Sequence, residues 1–136
     1  MWRRRFFLFY APLLLLELSL LACGSSVSQL ESISINPETA TAQKSTSGEV
    51  QFIATGVYTD GHTVSPLPVF WGFHAPWIET PDPGGVSVNS NGLAQCTTYK
   101  GTISIVAIAP KNPNLPLSIM TITTPVVNAT AHLTCQ

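Results

Sequence analysis

The chain has 136 residues, about the length of a single domain, and only 10% of them are charged. Half of its six basic residues form the run Arg3–Arg5, so residues 23–136 hold three lysines against six carboxylates and carry a net charge of −3. A chain this poor in cations lacks the positive surface that binds nucleic acid, which excludes that class of partner. Ten of the eleven prolines and all nine glycines also lie in residues 23–136, which favours short strands and turns over a helical bundle.

Residues 1–22 have the organisation of a secretory signal, with a positive segment at Arg3–Arg5 followed by a largely apolar run. The run ends in Leu20-Leu21-Ala22-Cys23, which resembles the lipobox of bacterial lipoproteins. This resemblance implies cleavage before Cys23, acylation of its thiol with diacylglycerol, and acylation of the new N-terminus. We therefore expect a membrane partner and a location in the bacterial cell envelope, at the outer membrane or the cell surface.

Two other interpretations of this segment remain open. A transmembrane anchor is one, although residues 6–22 are short for a span and the central Glu17 costs about 2.5–3.5 kcal/mol in a bilayer. The other is an ordinary cleaved signal in which Cys23 has no special role. Residues 4–8 also resemble a twin-arginine signal, which leaves the export route open.

Residues 23–29 are small and polar and predict a short tether, after which strands and turns alternate to the end of the chain. Asp60-Gly61 and Asn91-Gly92 are typical of tight turns, because these residues tolerate positive φ. Strands with one apolar face pack as two sheets or a barrel, so residues 30–136 predict an all-β sandwich of seven to eight strands. The predicted strands are residues 30–36, 49–58, 69–73, 86–88, 93–96, 102–109, 117–123 and 126–135.

Segments between residues 33 and 109 resemble the bacterial immunoglobulin-like group 2 family, in the variant found in small bacterial lipoproteins. The matching segments are Ile33-Ser34-Ile35-Asn36-Pro37, residues 50–61, Val69-Phe70-Trp71, Asn91-Gly92-Leu93-Ala94 and residues 101–107. The resemblance implies an immunoglobulin-like sandwich of the kind found in surface and adhesion proteins, with no shared catalytic residues. The chain differs from the family in the enlarged segment between Trp71 and Asn91, so loop 74–85 is its individual feature.

The three cysteines leave an even pair, Cys96 and Cys135, once Cys23 is lipidated. An exported chain meets an oxidising environment, so we expect these two to form a disulfide that fastens the last strand to the sheet. Two buried thiols are the alternative.

The remaining residues give little sign of catalysis. His62, His74 and His132 are scattered and match no metal-ligand spacing, so we expect no metal and no cofactor. The sequence has neither a nucleophile elbow nor a glycine-rich phosphate loop, and it predicts a protein that is not an enzyme.

Trp77 and His74, in loop 74–85, are the candidate ligand contacts. An exposed aromatic side chain can stack on a sugar ring or dock into a protein, whereas Trp77 folded inwards would cap the end of the sandwich. Two functions follow. One is a non-catalytic envelope lipoprotein whose domain serves adhesion, protein interaction or structure; the other is a glycan-binding module that uses the Trp77 loop.

Overall fold

The computed structural model describes residues 27–43 and 48–136. The described residues form an all-β sandwich, as predicted, although with ten strands rather than seven or eight. The strands are β1 Leu30–Asn36, β2 Thr39–Ala42, β3 Glu49–Gln51, β4 Ile53–Tyr58, β5 Thr63–Val64, β6 Phe70–Gly72, β7 Val86–Val88, β8 Leu93–Cys96, β9 Gly101–Pro110 and β10 Val126–Cys135. The predicted signal segment 1–22 and Cys23 lie outside the described residues.

The strands form three hydrogen-bonded sheets, with the orders β1-β4-β5, β2-β10-β9-β6 and β3-β8-β7. All three sheets bury side chains in one hydrophobic core, which includes Phe52, Trp71, Ile105 and Leu133. Trp71 is 9% exposed and Phe52 is fully buried. In the described part of the chain, no helix is long and apolar enough to span a membrane.

The predicted strand 49–58 divides into two strands at Phe52. The stretch before Phe52 pairs with β8, whereas the stretch after it pairs with β1 and β5. At the division, the amide of Phe52 donates a hydrogen bond of 2.9 Å to the carbonyl of Gly92. Ala54 and Tyr58 are buried on the same side as Phe52, so the alternation predicted the core face correctly but not the change of partner strands.

A register shift in β1 adds a residue to the core. The pairing with β4 shifts between Leu30 and Ser32, which allows Leu30 and Ile35 to be buried together although they are an odd number of residues apart. Simple alternation placed only Ile33 and Ile35 on the apolar face. The irregularity, which no sequence pattern indicates, corrects that assignment.

The predicted strand at residues 117–123 is wrong. Leu117–Ile119 form a single 3-10 turn, and a second turn follows, in which the amide of Thr124 donates to the carbonyl of Thr121 at 3.0 Å. Pro116 and Pro125 flank the segment and have no amide hydrogen for a strand ladder. The Thr124 hydroxyl instead accepts a hydrogen bond from the Thr121 amide at 2.9 Å, a local bond that competes with strand pairing.

Two ends of the sandwich can be defined from the longest pair of strands. β9 and β10 run antiparallel from the pair Pro110–Val126 to the pair Gly101–Cys135, and ten residues of strand span about 30 Å. The amide of Leu30 donates to the carbonyl of Lys111 at 2.8 Å, so the chain enters the sandwich beside Pro110. We call this the tether end and the opposite end, at Gly101 and Cys135, the far end.

The residue before β1, Gln29, is hydrogen-bonded to the sandwich. The amide of Gln29 donates to the Thr59 hydroxyl at 3.1 Å, and the Thr59 amide donates to the carbonyl of Gln29 at 2.9 Å. Gln29, the last residue of the predicted tether, is therefore fixed to the sandwich.

Candidate functional site

The candidate loop 74–85 lies at the far end of the sandwich. Gly72, the last residue of β6, pairs with Val106, and β6 runs antiparallel to β9, so the chain leaves β6 in the direction of Gly101. It returns at Val86, which pairs with Cys96. The loop therefore projects from the end opposite to the tether.

His74 connects the two sides of this loop. Its Nδ1 lies 3.1 Å from the carbonyl of Ala75, and its Nε2 lies 3.2 Å from a carboxylate oxygen of Asp82. The His74 side chain is 27% exposed and that of Asp82 is 65% exposed. The Nε2 distance to Asp82 is within the range of an ion pair, although Nε2 makes no hydrogen bond, and the contact places a carboxylate at the surface of the loop.

Trp77 is half-buried and lies in a turn in which the amide of Ile78 donates to the carbonyl of Ala75 at 3.0 Å. Phe73 packs against the hydrophobic core, but Trp77 is not among the partly buried residues that do so. Ile78, next to it, is 45% exposed. The loop thus presents part of an indole ring and an aliphatic side chain at its surface, which is intermediate between the two expectations for Trp77.

A single carbonyl group fixes the end of the loop. The oxygen of Gly85 accepts hydrogen bonds from three successive amides, those of Thr97, Thr98 and Tyr99, at 2.8, 3.2 and 3.1 Å. These amides follow directly after Cys96, at the end of β8. The loop is therefore anchored on a turn that the neighbouring disulfide also holds.

Cys96 and Cys135 form a disulfide at the far end, with their Cα atoms 5.8 Å apart. Cys96 ends β8 and Cys135 ends β10, and these strands belong to different sheets. The bond therefore joins two sheets, in addition to fastening the last strand as predicted. It is close in the fold to the base of loop 74–85, so the structure brings the predicted disulfide and the predicted ligand loop to the same end.

A groove that the sequence analysis did not predict lies on the side of the sandwich. It has a volume of about 750 Å³, within the range of small-molecule sites, and Trp71 contributes to its lining. Its other lining residues include Gln51, Leu67, Asn91 and Leu117. Prolines on both sides of Leu67 were the available signal, because they keep this segment out of the sheet ladders.

The remaining histidines do not gather at one place. His62 lies beside Asp60 near the tether end and stacks on Tyr58, with the ring centroids 4.2 Å apart. His132 lies on β10 and is exposed. Over residues 27–43 and 48–136, no group of three or more His, Cys, Asp or Glu side chains is arranged to hold a metal ion.

Comparison with known proteins adds no assignment. No protein-family model matches this chain, and no curated protein is significantly similar to it. The resemblance to immunoglobulin-like group 2 domains therefore stays a prediction.

Proposed function

We propose that this protein is a non-catalytic lipoprotein of the bacterial cell envelope, anchored to a membrane through Cys23, whose sandwich presents its far end for adhesion or protein interaction. The observation that carries the proposal is the opposite placement of two features. The chain enters the sandwich beside Lys111, whereas loop 74–85 returns to it at Val86, which pairs with Cys96. The disulfide partner of Cys96, Cys135, lies at the other end of β10, about 30 Å away. A membrane anchor on the tether would leave this loop accessible.

The sequence of the N-terminal segment supports the anchor. Leu20–Cys23 follow a positively charged and then apolar segment, the position in which a lipobox functions. Each buried methylene of an acyl chain contributes about 0.8 kcal/mol, so several chains on one cysteine hold a protein on a bilayer where one chain binds reversibly.

The form of the far end supports an interaction surface. Loop 74–85 is fixed at its base by the hydrogen bonds to the Gly85 carbonyl, and His74 contacts Asp82 across the loop. Binding residues are often carried on loops that a rigid scaffold positions. Partly exposed Trp77 and exposed Ile78 are side chains of the kind that anchor protein contacts.

Glycan binding by the same loop is the second candidate. The observation that favours it is the presence, within one loop, of an aromatic ring for stacking and of a carboxylate, Asp82, that accepts hydrogen bonds from hydroxyl groups. A glycan array probed with the wild type and with Trp77→Ala separates the two candidates. Binding to a defined set of glycans that Trp77→Ala abolishes would replace protein interaction with glycan recognition.

The proposal is tested by affinity capture from the native envelope with tagged full-length chains. We expect the wild type to retain a partner protein that the double variant Trp77→Ala/Ile78→Ser does not retain. Val27→Ser is the control, because Val27 is also exposed, at 57%, but lies before β1 at the tether end. Equal capture by all three chains would contradict a role for the far end.

A further inference from the structure

The connection between β9 and β10, residues 111–125, carries two of the three most exposed large apolar side chains of the described residues. Ile122 is 76% exposed and Ile119 is 56% exposed. Neither belongs to the core or to the side chains packed against it, whereas Leu117 in the same connection does pack there. The connection is thus held to the domain by one apolar residue and presents two others to the surroundings.

Ile122 is held outward by a turn that threonine hydroxyls stabilise. The Thr124 amide donates to the Thr121 carbonyl at 3.0 Å, and the Thr121 amide donates to the Thr124 hydroxyl at 2.9 Å. The hydroxyls of Thr121 and Thr123 are hydrogen-bonded at 3.0 Å. A turn with this many internal bonds keeps Ile122 at its surface, so the exposure of that side chain is a property of the local structure.

This turn lies close to the point where the tether joins the sandwich. The amide of Lys111 donates to the carbonyl of Pro125 at 2.9 Å, and the carbonyl of Lys111 accepts the amide of Leu30 at 2.8 Å. Ile122 is three residues from Pro125, a chain distance of at most about 11 Å. The exposed isoleucine and the start of β1 therefore share the tether end.

The length of the tether places this end against the membrane, if Cys23 is acylated as proposed above. Gln29, which is fixed to Thr59, is the sixth residue after Cys23, and a fully extended chain over six residue steps spans about 20 Å. The tether end cannot then leave the immediate neighbourhood of the lipid headgroups. The short link also gives the turn a high effective concentration at that surface.

The charge of the connection is compatible with a lipid surface. Lys111 is the one charged residue among residues 111–125, and it is exposed. Anionic lipid headgroups therefore meet a cation and no carboxylate in this segment. Two carboxylates also lie at this end: Asp60, which contacts His62, and the exposed Glu31, which follows Leu30.

We propose that the turn Thr121–Thr124, with Ile119 and Ile122, is a second membrane contact that inserts its apolar side chains into the headgroup region beside the acyl anchor. The contact rests on the proposed lipoprotein function, and it deepens that function by naming the surface that faces the bilayer. Two aliphatic side chains bind a bilayer weakly by themselves, so the turn acts together with the acyl chains, in the manner of a two-signal membrane attachment. Its effect is to orient the sandwich, with loop 74–85 directed away from the membrane.

The test measures the depth of a fluorophore on the acylated full-length protein, reconstituted in vesicles of phosphatidylcholine and phosphatidylglycerol. An environment-sensitive dye is attached at Ser118→Cys, next to Ile119, or at Glu79→Cys in the far loop, and is quenched with nitroxide-labelled phospholipid. Both positions are exposed. We expect severalfold stronger quenching at position 118 than at 79, and a fall to the level of position 79 when Ile119→Ser and Ile122→Ser are introduced.

The outcomes distinguish this proposal from the proposed function. Equal, weak quenching at both positions on a chain that carries acyl groups would overturn the membrane contact and leave the lipoprotein function standing. A chain that acquires no acyl group would overturn the lipoprotein function and this proposal with it. A dye at position 118 that becomes shielded without vesicles as protein concentration rises would assign the surface to a second copy of the chain, and would also overturn the membrane contact.

Discussion

The amide of Phe52 donates a hydrogen bond of 2.9 Å to the carbonyl of Gly92, at the point where the chain passes from one sheet to another. Gly92 has φ near +80°, and a Cβ atom built on it would collide with the carbonyl oxygen of Phe52 and lie 2.9 Å from the Trp71 ring. The predicted Asn91-Gly92 turn is therefore also a packing position. Because residue 92 has no side chain, the chain can turn tightly here, pass from one sheet to the other and pack against the buried Trp71.

Replacement of this glycine should be more damaging than replacement of one in an open turn. Gly61 has a similar φ of +85°, but a Cβ there would meet nothing within 4 Å. We expect Gly61→Ala to lower the free energy of unfolding by about 1–2 kcal/mol, the cost of a left-handed backbone. Gly92→Ala should lower the free energy of unfolding clearly more, because the added Cβ would also overlap with the Phe52 carbonyl oxygen and the Trp71 ring. Urea unfolding of the oxidised, non-lipidated protein measures both, and equal losses would refute the packing role of Gly92.

Trp71 and Trp77 should differ in their contribution to stability. Trp71 is 9% exposed within the core, and truncation of a buried Trp to Ala costs about 3–5 kcal/mol. Trp77 is half-buried in loop 74–85, so its truncation to Ala should lower the free energy of unfolding much less. The measurement is urea unfolding of Trp71→Ala and Trp77→Ala in the oxidised protein. A larger loss for Trp77→Ala would make Trp77 a core residue and remove it from the interaction surface.

The disulfide between Cys96 and Cys135 should be detectable by peptide mapping and should contribute to the free energy of unfolding. Peptide mapping without reduction should recover the peptides of Cys96 and Cys135 as one linked species. Reduction should lower the free energy of unfolding by up to about 4 kcal/mol, because a cross-link over 39 residues restricts the unfolded chain. Two thiols that react with iodoacetamide in the folded, air-oxidised protein would count against the bond.

Asp60 should titrate below its ordinary range. The His62 amide donates to the Asp60 carboxylate at 3.1 Å, and the His62 ring contacts the same oxygen; both hydrogen bonds lower the pKa of Asp60 from 3.8. A lowered folded-state pKa means that this carboxylate contributes stability above its unfolded-state pKa and loses it as the pH falls through the folded-state value. NMR titration of the side-chain carboxyl carbon measures the midpoint.

His62→Ala is the matched control for Asp60. This variant keeps the backbone donor and removes the ring, so the midpoint should rise towards 3.8 without reaching it. A wild-type midpoint at or above 3.8 would show that the turn does not stabilise the charged form.

The alternation of apolar and polar residues in the sequence predicted the strands in which apolar side chains point to the core. It predicted β4, β9 and β10, where apolar residues recur with a period of two, although the last four residues of β9 are all buried. It did not predict β2, whose Thr-Ala-Thr-Ala sequence has little hydrophobic contrast and which pairs in parallel with β10. It mistook residues 117–123 for a strand, because local hydroxyl bonds, which alternation does not register, form turns there.

The candidate site was predicted in part. The even cysteine count identified the pair Cys96–Cys135, and the length of the segment after Trp71 identified the loop with His74 and Trp77. The contact between His74 and Asp82 was not predicted, because it spans eight residues of irregular chain. The groove beside Trp71 was also missed, since residues from several distant segments form it only after folding.

The proposed lipoprotein function depends most on the anchor at Cys23, which fatty-acid labelling of the full-length chain in a bacterial host tests directly. The wild type should incorporate labelled palmitate and fractionate with membranes. Cys23→Ser should incorporate none and keep an uncleaved N-terminus. The double variant Cys96→Ser/Cys135→Ser is the control and should be labelled as the wild type is, because the lipobox is intact. Labelling and membrane fractionation of Cys23→Ser at the wild-type level would contradict the lipoprotein function.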